Sequence, residues 1–477
     1  MTVAAQPLSN VEVGELPLAR FASLLAAEHY EQLSSGITRG RELFAGRTVW
    51  NVSSTARGGG VAEMLSTLLA YARGAGIDAR WQVISGESDF FTMTKRIHNR
   101  LHGFDGDGGP LGEGERERYT QALEQGAQAL ASKLGPDDVV ILHDPQTAGL
   151  VPAVRARGVP VVWRCHVGID EPSDPVREAW RFLMPFVGDA HATVFSRPAF
   201  VWEGLDRDRV SIIAPSLDAF APKNQDLGEP AVDAILAAAG LRAGCSDVDP
   251  AYERVEGQTA LVARRARVTE GRPLQAHERY VAQVSRWDAL KDHGGVIAGF
   301  AAHVAPHSDA HLICAGPEVE GVSDDPEGAA VLREVCEQWQ QLPGDLRERV
   351  HVAVLPMDDW QENAAMVNAL QRGASVVIQK SLAEGFGLTV AEAMWKSRPV
   401  AASRIGGIQD QIEDGRSGVL LDRPSDLEAF GAAVRGLLDD PDGARAMGEA
   451  ARERVRERFL EPRSLLDYLT LLHTVLA

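Results

Sequence analysis

The sequence predicts an α/β protein of two doubly wound domains, each a mainly parallel sheet covered by helices on both faces. Three observations predict it. At 477 residues the chain is too long for one ordinary domain. Short apolar, β-rich runs alternate with longer helix-like stretches along it, as parallel βα units require. These runs fall into two series, separated by a stretch rich in proline and turn formers.

The first series of expected strands is 47–53 (RTVWNVS), 138–142, 160–165 (PVVWRC) and 209–213 (RVSII); the second is 279–285 (RYVAQVS), 310–315 (AHLICA), 350–354 (VHVAV) and 375–379 (SVVIQ). Between them 214–230 (APSLDAFAPKNQDLGEP) carries three prolines, which places a crossing between domains near residue 217. The expected organisation is an N-terminal domain over 1–217, a second domain over 218–458, and a C-terminal helix over 459–477 that returns to the first. Residues 243–277 show no sustained period and read as an insertion on the second domain. The glycine-rich acidic stretch 103–117 (GFDGDGGPLGEGERE) reads as a mobile surface loop, and 440–475 as helical and charged on one face.

Composition excludes several classes. Forty-eight basic against 67 acidic residues give a formal charge of −19, which disfavours nucleic acid and anionic membranes, both of which are bound through dense positive charge. No apolar stretch approaches the roughly 20 residues of a membrane helix. The first residues, MTVAAQPLSNVEVGEL, have no basic segment followed by an apolar one, so no secretory leader is expected and a cytoplasmic location follows. Cys165, Cys245, Cys314 and Cys336 form no CxxC pair and suggest neither disulfides nor zinc. Homo-oligomer formation is left open.

Three motifs carry chemistry. After the first strand, SSTARGGGVAE places Gly58, Gly59 and Gly60 at a strand-to-helix turn, where backbone amides and the helix dipole can approach a phosphate; the same turn also serves an unliganded βα crossing. In the second domain VSRWDALKDHGG puts Arg286 just past a strand end and Lys291 five residues on. A guanidinium fork and an ammonium there suit a diphosphate, or else form a solvated basic loop. The sharpest feature is KSLAEGFGLTVAEAMW, with Glu384 in a glycine loop and Glu392 in the following helix. The amides of Gly387, Leu388 and Thr389 lie at that helix's N-terminus, and carboxylates suit sugar hydroxyls, which donate to them.

The EGFGLTVAEA string, the Arg286/Lys291 pair and the glycine turn together resemble the retaining GT-B glycosyltransferases of family four. More narrowly, NVSSTARGGGVAEML, LHDPQTAGL, WRCHVGIDEP and EAMWKSRPV look like the trehalose glycosyltransferring synthases, over about 45–220 and 278–475. The resemblance implies a GT-B fold, two facing Rossmann-like domains with a cleft between, and transfer of glucose from an NDP-glucose donor to a small sugar acceptor. By position it implies that Glu384 contacts donor-sugar hydroxyls, that Glu392 holds the ribose, and that Arg286 and Lys291 neutralise the departing diphosphate. Gly58 and Gly59 would close over that phosphate, Asp144 and Gln146 would orient the acceptor, and His166 would grip the donor glucose. The 243–277 segment and the 103–117 loop have no counterpart in the resemblance.

No carboxylate stands out as a nucleophile, so front-face attack is expected, with the departing phosphate taking the acceptor proton. No Asp-x-Asp string lies at an expected strand end; no metal and no cofactor are called for. A trehalose phosphorylase, a glucosyltransferase to another polyol, a sugar-nucleotide epimerase and a non-catalytic sugar-nucleotide sensor are the alternatives.

Overall fold

The structure is a computed structural model that describes residues 6–56, 60–319 and 326–477. The chain divides into two compact units: the first runs up to Ser216 and takes in Phe459–Ala477, and the second is Leu217–Arg458.

The first unit holds β1 (Leu8–Val11), β2 (Thr48–Ser53), β3 (Asp78–Ile84), β4 (Val139–His143), β5 (Val161–Cys165), β6 (Ala192–Phe195) and β7 (Val210–Ile212), in the sheet order β1-β3-β2-β4-β5-β6-β7. Only β1 runs antiparallel. β4 and β5 are buried at every residue, which is why they read as continuous apolar runs and not as alternating ones. Their core gathers Trp163, Phe182, Phe195 and Tyr119.

In the second unit β8 (Ala251–Glu253) and β9 (Thr259–Leu261) form a separate hairpin. The sheet consists of β10 (Arg267–Thr269), β11 (Tyr280–Val284), β12 (His311–Pro317), β13 (Val350–Leu355), β14 (Val376–Gln379), β15 (Val400–Ser403) and β16 (Val419–Leu421). Its order is β10-β13-β12-β11-β14-β15-β16, with β10 the antiparallel edge. In each sheet the parallel series starts near the middle, at β2 and at β11, winds outward to one side and then reverses to the other. In doubly wound sheets ligands bind at the carboxyl ends of the strands where the order reverses. The reversals fall between β2 and β4 in one unit and between β11 and β14 in the other.

Two expectations need correction. Residues 243–277 are not featureless: they carry β8, β9 and β10, and Arg254 and Arg264 pair with Asp359 and Glu362 at the start of helix Trp360–Gly373. Strands of three residues are too short for a visible period. The 103–117 stretch is not a free loop. Arg96 grips Asp107 through its Nη2 at 2.8 Å and the Pro110 carbonyl at 2.7 Å, Arg100 donates to Gly109 O at 2.7 Å, and from Glu113 the chain is already helix Glu113–Lys133. The 440–475 stretch is helical, as expected, and forms two helices, Pro441–Arg458 and Glu461–Leu476, with Pro462 accommodated in the first turn of the second. The second of these packs on helix Ala27–Leu43 at Gly36 and Gly40, where added Cβ atoms would stand 2.2 Å from Leu466 and 2.8 Å from Leu469.

Candidate functional site

In the second unit the chain leaves β11 through Ser285, Arg286 and Trp287 into a short 3-10 turn, Ala289–Lys291, which Asp288 caps by accepting from Leu290 N at 2.9 Å. The turn points Lys291 towards the loop after β14. There its Nζ donates to Glu384 Oε2 at 2.5 Å, with both side chains largely buried. Arg286 is 45% exposed and reaches Asp288 at 3.3 Å. The two cations are therefore held differently: Lys291 is fixed against Glu384 and largely buried, while Arg286 pairs with Asp288 and is half-exposed.

The Glu384 loop is built from backbone. Gly387 lies in the left-handed region, φ 84°, and starts helix Leu388–Trp395; Val390 N donates back to Gly387 O at 2.9 Å. Leu388 and Thr389, in the first turn, have amides with no intrahelical carbonyl to reach. Gln411 Nε2 holds Phe386 O at 2.5 Å, Thr389 Oγ1 donates to Gln379 at 2.9 Å, and Gly407 N donates to Gly385 O at 3.0 Å. Glu392, one turn further on, is buried and faces Lys223 Nζ at 3.6 Å. It is a paired, desolvated carboxylate.

In the first unit Asp144 follows β4 with φ 65°, left-handed for a residue that is not glycine. Its Oδ1 accepts the His166 backbone N–H at 2.7 Å, and its carbonyl accepts from Trp163 Nε1 at 3.1 Å. Burial raises its carboxyl to about 7, against the pull of the His166 amide and Arg164. His166 Nε2 lies 3.2 Å from His143 Nδ1, and Arg164 Nε lies 3.1 Å from the same ring nitrogen. Burial, and then Arg164, hold His143 at about 3 and His166 well below the usual histidine range, so both rings are neutral near pH 7. Gln146 is half-buried two residues after Asp144, and its Oε1 finds no hydrogen-bond partner among the described residues.

The structure thus brings together Lys291 and Glu384, with Arg286 on the same loop, and it brings together Asp144 and His166. Gly58 and Gly59 lie outside the described residues. Gly60 opens helix Gly60–Gly74. Several neighbours escaped sequence reasoning. Lys380 is buried and paired with Asp292, which caps helix His293–Gly299; His293 is buried, bonded to Ser285 Oγ at 3.1 Å and tilted on Trp287 at 4.7 Å; Asn51, His143 and Arg164 line the Asp144 side. The signal for the last three was a polar residue at a mid-strand or strand-end position in an otherwise apolar run. Among the described residues no group of three or more His, Cys, Asp or Glu is placed to hold a metal, and no helix is long and apolar enough to cross a membrane.

Comparison with known proteins gives the same reading from outside the chain. Residues 51–202 match the family described as trehalose synthase, N-terminal domain, and 269–454 match glycosyl transferases group 1. A trehalose synthase of Rubrobacter xylanophilus is 34% identical over 467 residues, covering 97% of this chain and 98% of its own, and one of Pyrococcus horikoshii is 32% identical over 97% of both. A trehalose phosphorylase of Grifola frondosa is 26% identical over 85% of this chain but only 54% of its own. In structure, the UDP-forming α,α-trehalose-phosphate synthase of Burkholderia xenovorans in complex with glucose-6-phosphate superposes with a TM-score of 0.66 at 15% identity, covering 91% of this chain and all of that one. Sequence, two wound sheets and neighbours converge: this chain belongs to the trehalose synthase family of GT-B glycosyltransferases and is a retaining hexosyltransferase.

Proposed function

We propose that the enzyme transfers glucose from an α-configured NDP-glucose to free glucose, with retention, to give α,α-trehalose. The observation that carries this reading is the near end-to-end match to trehalose synthases, whereas the chain spans about half the length of the trehalose phosphorylases it matches.

The chemistry on each unit fits. Arg286 and Lys291 neutralise the leaving diphosphate, Arg286 by its half-exposed guanidinium and Lys291 by moving from Glu384 to the phosphate. Glu384, released, accepts donor-sugar hydroxyls. The first-turn amides around Leu388 and Thr389 add fixed partial positive charge, and Glu392 accepts from the ribose. Asp144 and Gln146 orient the acceptor; a carboxylate suits a neutral hydroxyl and repels a phosphorylated sugar. His166 holds the donor glucose, and Gly58 and Gly59 approach the phosphate. The departing phosphate takes the acceptor proton in a front-face attack, with its growing charge met by preorganised cations and amides. With two cations on the diphosphate no metal is needed, and the enzyme acts in the cytoplasm.

The test is to offer several NDP-glucoses against a panel of sugars, polyols and sugar phosphates, following nucleoside diphosphate release and product mass. Glucose should be the preferred acceptor and a hexose disaccharide the product. Turnover confined to another polyol or to a sugar phosphate contradicts the acceptor, and turnover only with orthophosphate and trehalose makes the enzyme a phosphorylase.

A further inference from the structure

β11 and β14 lie side by side and parallel, so the loops that follow them rise together at the carboxyl end of the sheet. Neutral contacts sew these loops to one another. Gln283, fully buried near the end of β11, accepts the Lys380 N–H at 3.2 Å through Oε1 and donates from Nε2 to the Lys291 carbonyl at 2.7 Å. A backbone N–H only donates and a carbonyl only accepts, so this amide has one possible orientation. Leu382 N donates to Leu290 O at 2.7 Å. Beside these stands a buried ion pair that no role above uses: Lys380 Nζ donates to Asp292 Oδ2.

That pair is the costly contact. The Lys380 side chain is 1% exposed, a depth lysine hardly ever reaches unpaired, and methionine would fill the same space without desolvating a charge. Gln283 and Leu382 already join the loops, so the charge has another use. Asp292 follows Lys291 directly and stands in the left-handed region, φ 51°. Its Oδ1 caps helix His293–Gly299 by accepting the Gly295 N–H at 3.0 Å, a task asparagine performs equally well. As a carboxylate it works against an anionic ligand. From 286 to 292 Arg286 and Lys291 are matched by Asp288 and Asp292, so the segment offers a phosphate no net positive charge. His293 adds none at pH 7, because burial holds it at about 4. Without a partner, Asp292 would compete with the phosphate for the Lys291 ammonium and repel the phosphate itself.

We propose that Lys380 is a positioning residue for the donor diphosphate: it captures Asp292, which leaves Lys291 able to pass from Glu384 to the phosphate and frees the loop end of an unbalanced negative charge. This role rests on Arg286 and Lys291 being the cations that meet the diphosphate.

The test titrates the full-length enzyme and its variants with UDP, ADP and GDP in turn by calorimetry, at a temperature where circular dichroism shows each protein folded. Lys291→Ala checks the underlying assignment and should weaken binding of the preferred diphosphate by about tenfold or more. Lys380→Met should weaken it by about tenfold, the effect of one unit charge about 10 Å away at an effective dielectric constant of about 20, and should raise the donor KM more than it lowers kcat. The double variant Lys380→Met/Asp292→Asn removes both charges and keeps the cap, since asparagine also tolerates the left-handed region, and should recover the wild-type affinity to within about twofold. That rescue separates capture of Asp292 from a merely structural pair, whose loss lowers Tm and leaves the affinity unchanged. If Lys380→Met does not fold, Lys380→Gln takes its place with the same expected loss, because glutamine can donate to Asp292 but cannot neutralise it. Wild-type affinity in the folded single variant, or a double variant as weak as the single one, overturns the proposal and leaves the diphosphate site standing. Unchanged binding in Lys291→Ala, or no binding by the wild type, removes the diphosphate assignment and the role of Lys380 with it.

Discussion

Asp144 is strained twice, by a left-handed backbone and by a carboxylate pushed up to about 7. The sign of the second effect is definite. A carboxyl whose folded value lies above its unfolded value near 4 destabilises the fold when charged: the cost is absent below about pH 4, builds as pH rises, and is complete above about 7. Asparagine removes the charge and tolerates the left-handed region. Asp144→Asn should therefore raise Tm by a few degrees, about 2–4 °C per kcal/mol for units of this size, at pH 8 and by less at pH 5. The same variant should lose acceptor use while donor affinity, measured by calorimetry, stays nearly constant, and the wild-type kcat/KM for acceptor should fall below pH 7. A large loss of donor affinity assigns Asp144 to the other substrate. For the cations, Arg286→Ala and Lys291→Ala should each lower turnover by about a hundredfold or more, as loss of one preorganised charge does; wild-type turnover in both contradicts the diphosphate assignment. The candidate positions Asp144, His166, Arg286, Lys291 and Glu384 stand out in the sequence because each is a chemistry-bearing type shortly after an apolar strand run, and Asp144 and Glu384 also adjoin proline or glycine. What could not be read was pairing. Nothing in one dimension joins Lys291 to Glu384, 93 positions on, or Asn51 to His143, since both contacts exist only when neighbouring parallel strands align their carboxyl ends.

At the scale of elements, the Glu384 loop is held by a second loop that carries no reactive group. Gly406 has φ 46°, and a Cβ there would stand 1.8 Å from the Glu384 carbonyl oxygen. That neighbour is backbone and cannot rotate away. Gly406→Ala should displace the Glu384 loop, lowering turnover by about a hundredfold, the cost of roughly an ångström of misplacement, while far-UV circular dichroism stays that of the wild type. Unchanged activity contradicts the tight support ascribed to this loop. The long buried strands β2, β4, β5, β11, β12, β13 and β14 could be read as apolar runs within a residue or two of their ends. β1, β10 and β16 could not: they have three or four residues, the first two are antiparallel edges, and an edge needs no apolar run. β3, DARWQVI, was hidden by Arg80 and Gln82, one forked onto Asp78 and the other bonded to Lys133 at 2.8 Å.

For the whole molecule, two sheets of the same winding each reverse order at their centre, and each reversal carries one cluster of the candidate residues. With a formal charge of −19, the anionic donor proposed above would have to be received by local cations such as Arg286 and Lys291. If these replace a metal, activity should survive excess EDTA; loss with chelator and recovery with magnesium contradicts that part of the mechanism. The central claim is the product. Free [1-¹³C]glucose should be incubated with NDP-glucose in phosphate-free buffer, and the anomeric region read by NMR. A non-reducing disaccharide with both anomeric centres α and the label in one of them is predicted, with one nucleoside diphosphate released per linkage. Label that remains in reducing sugar, a β anomeric signal, or product that forms only when orthophosphate is added contradicts it.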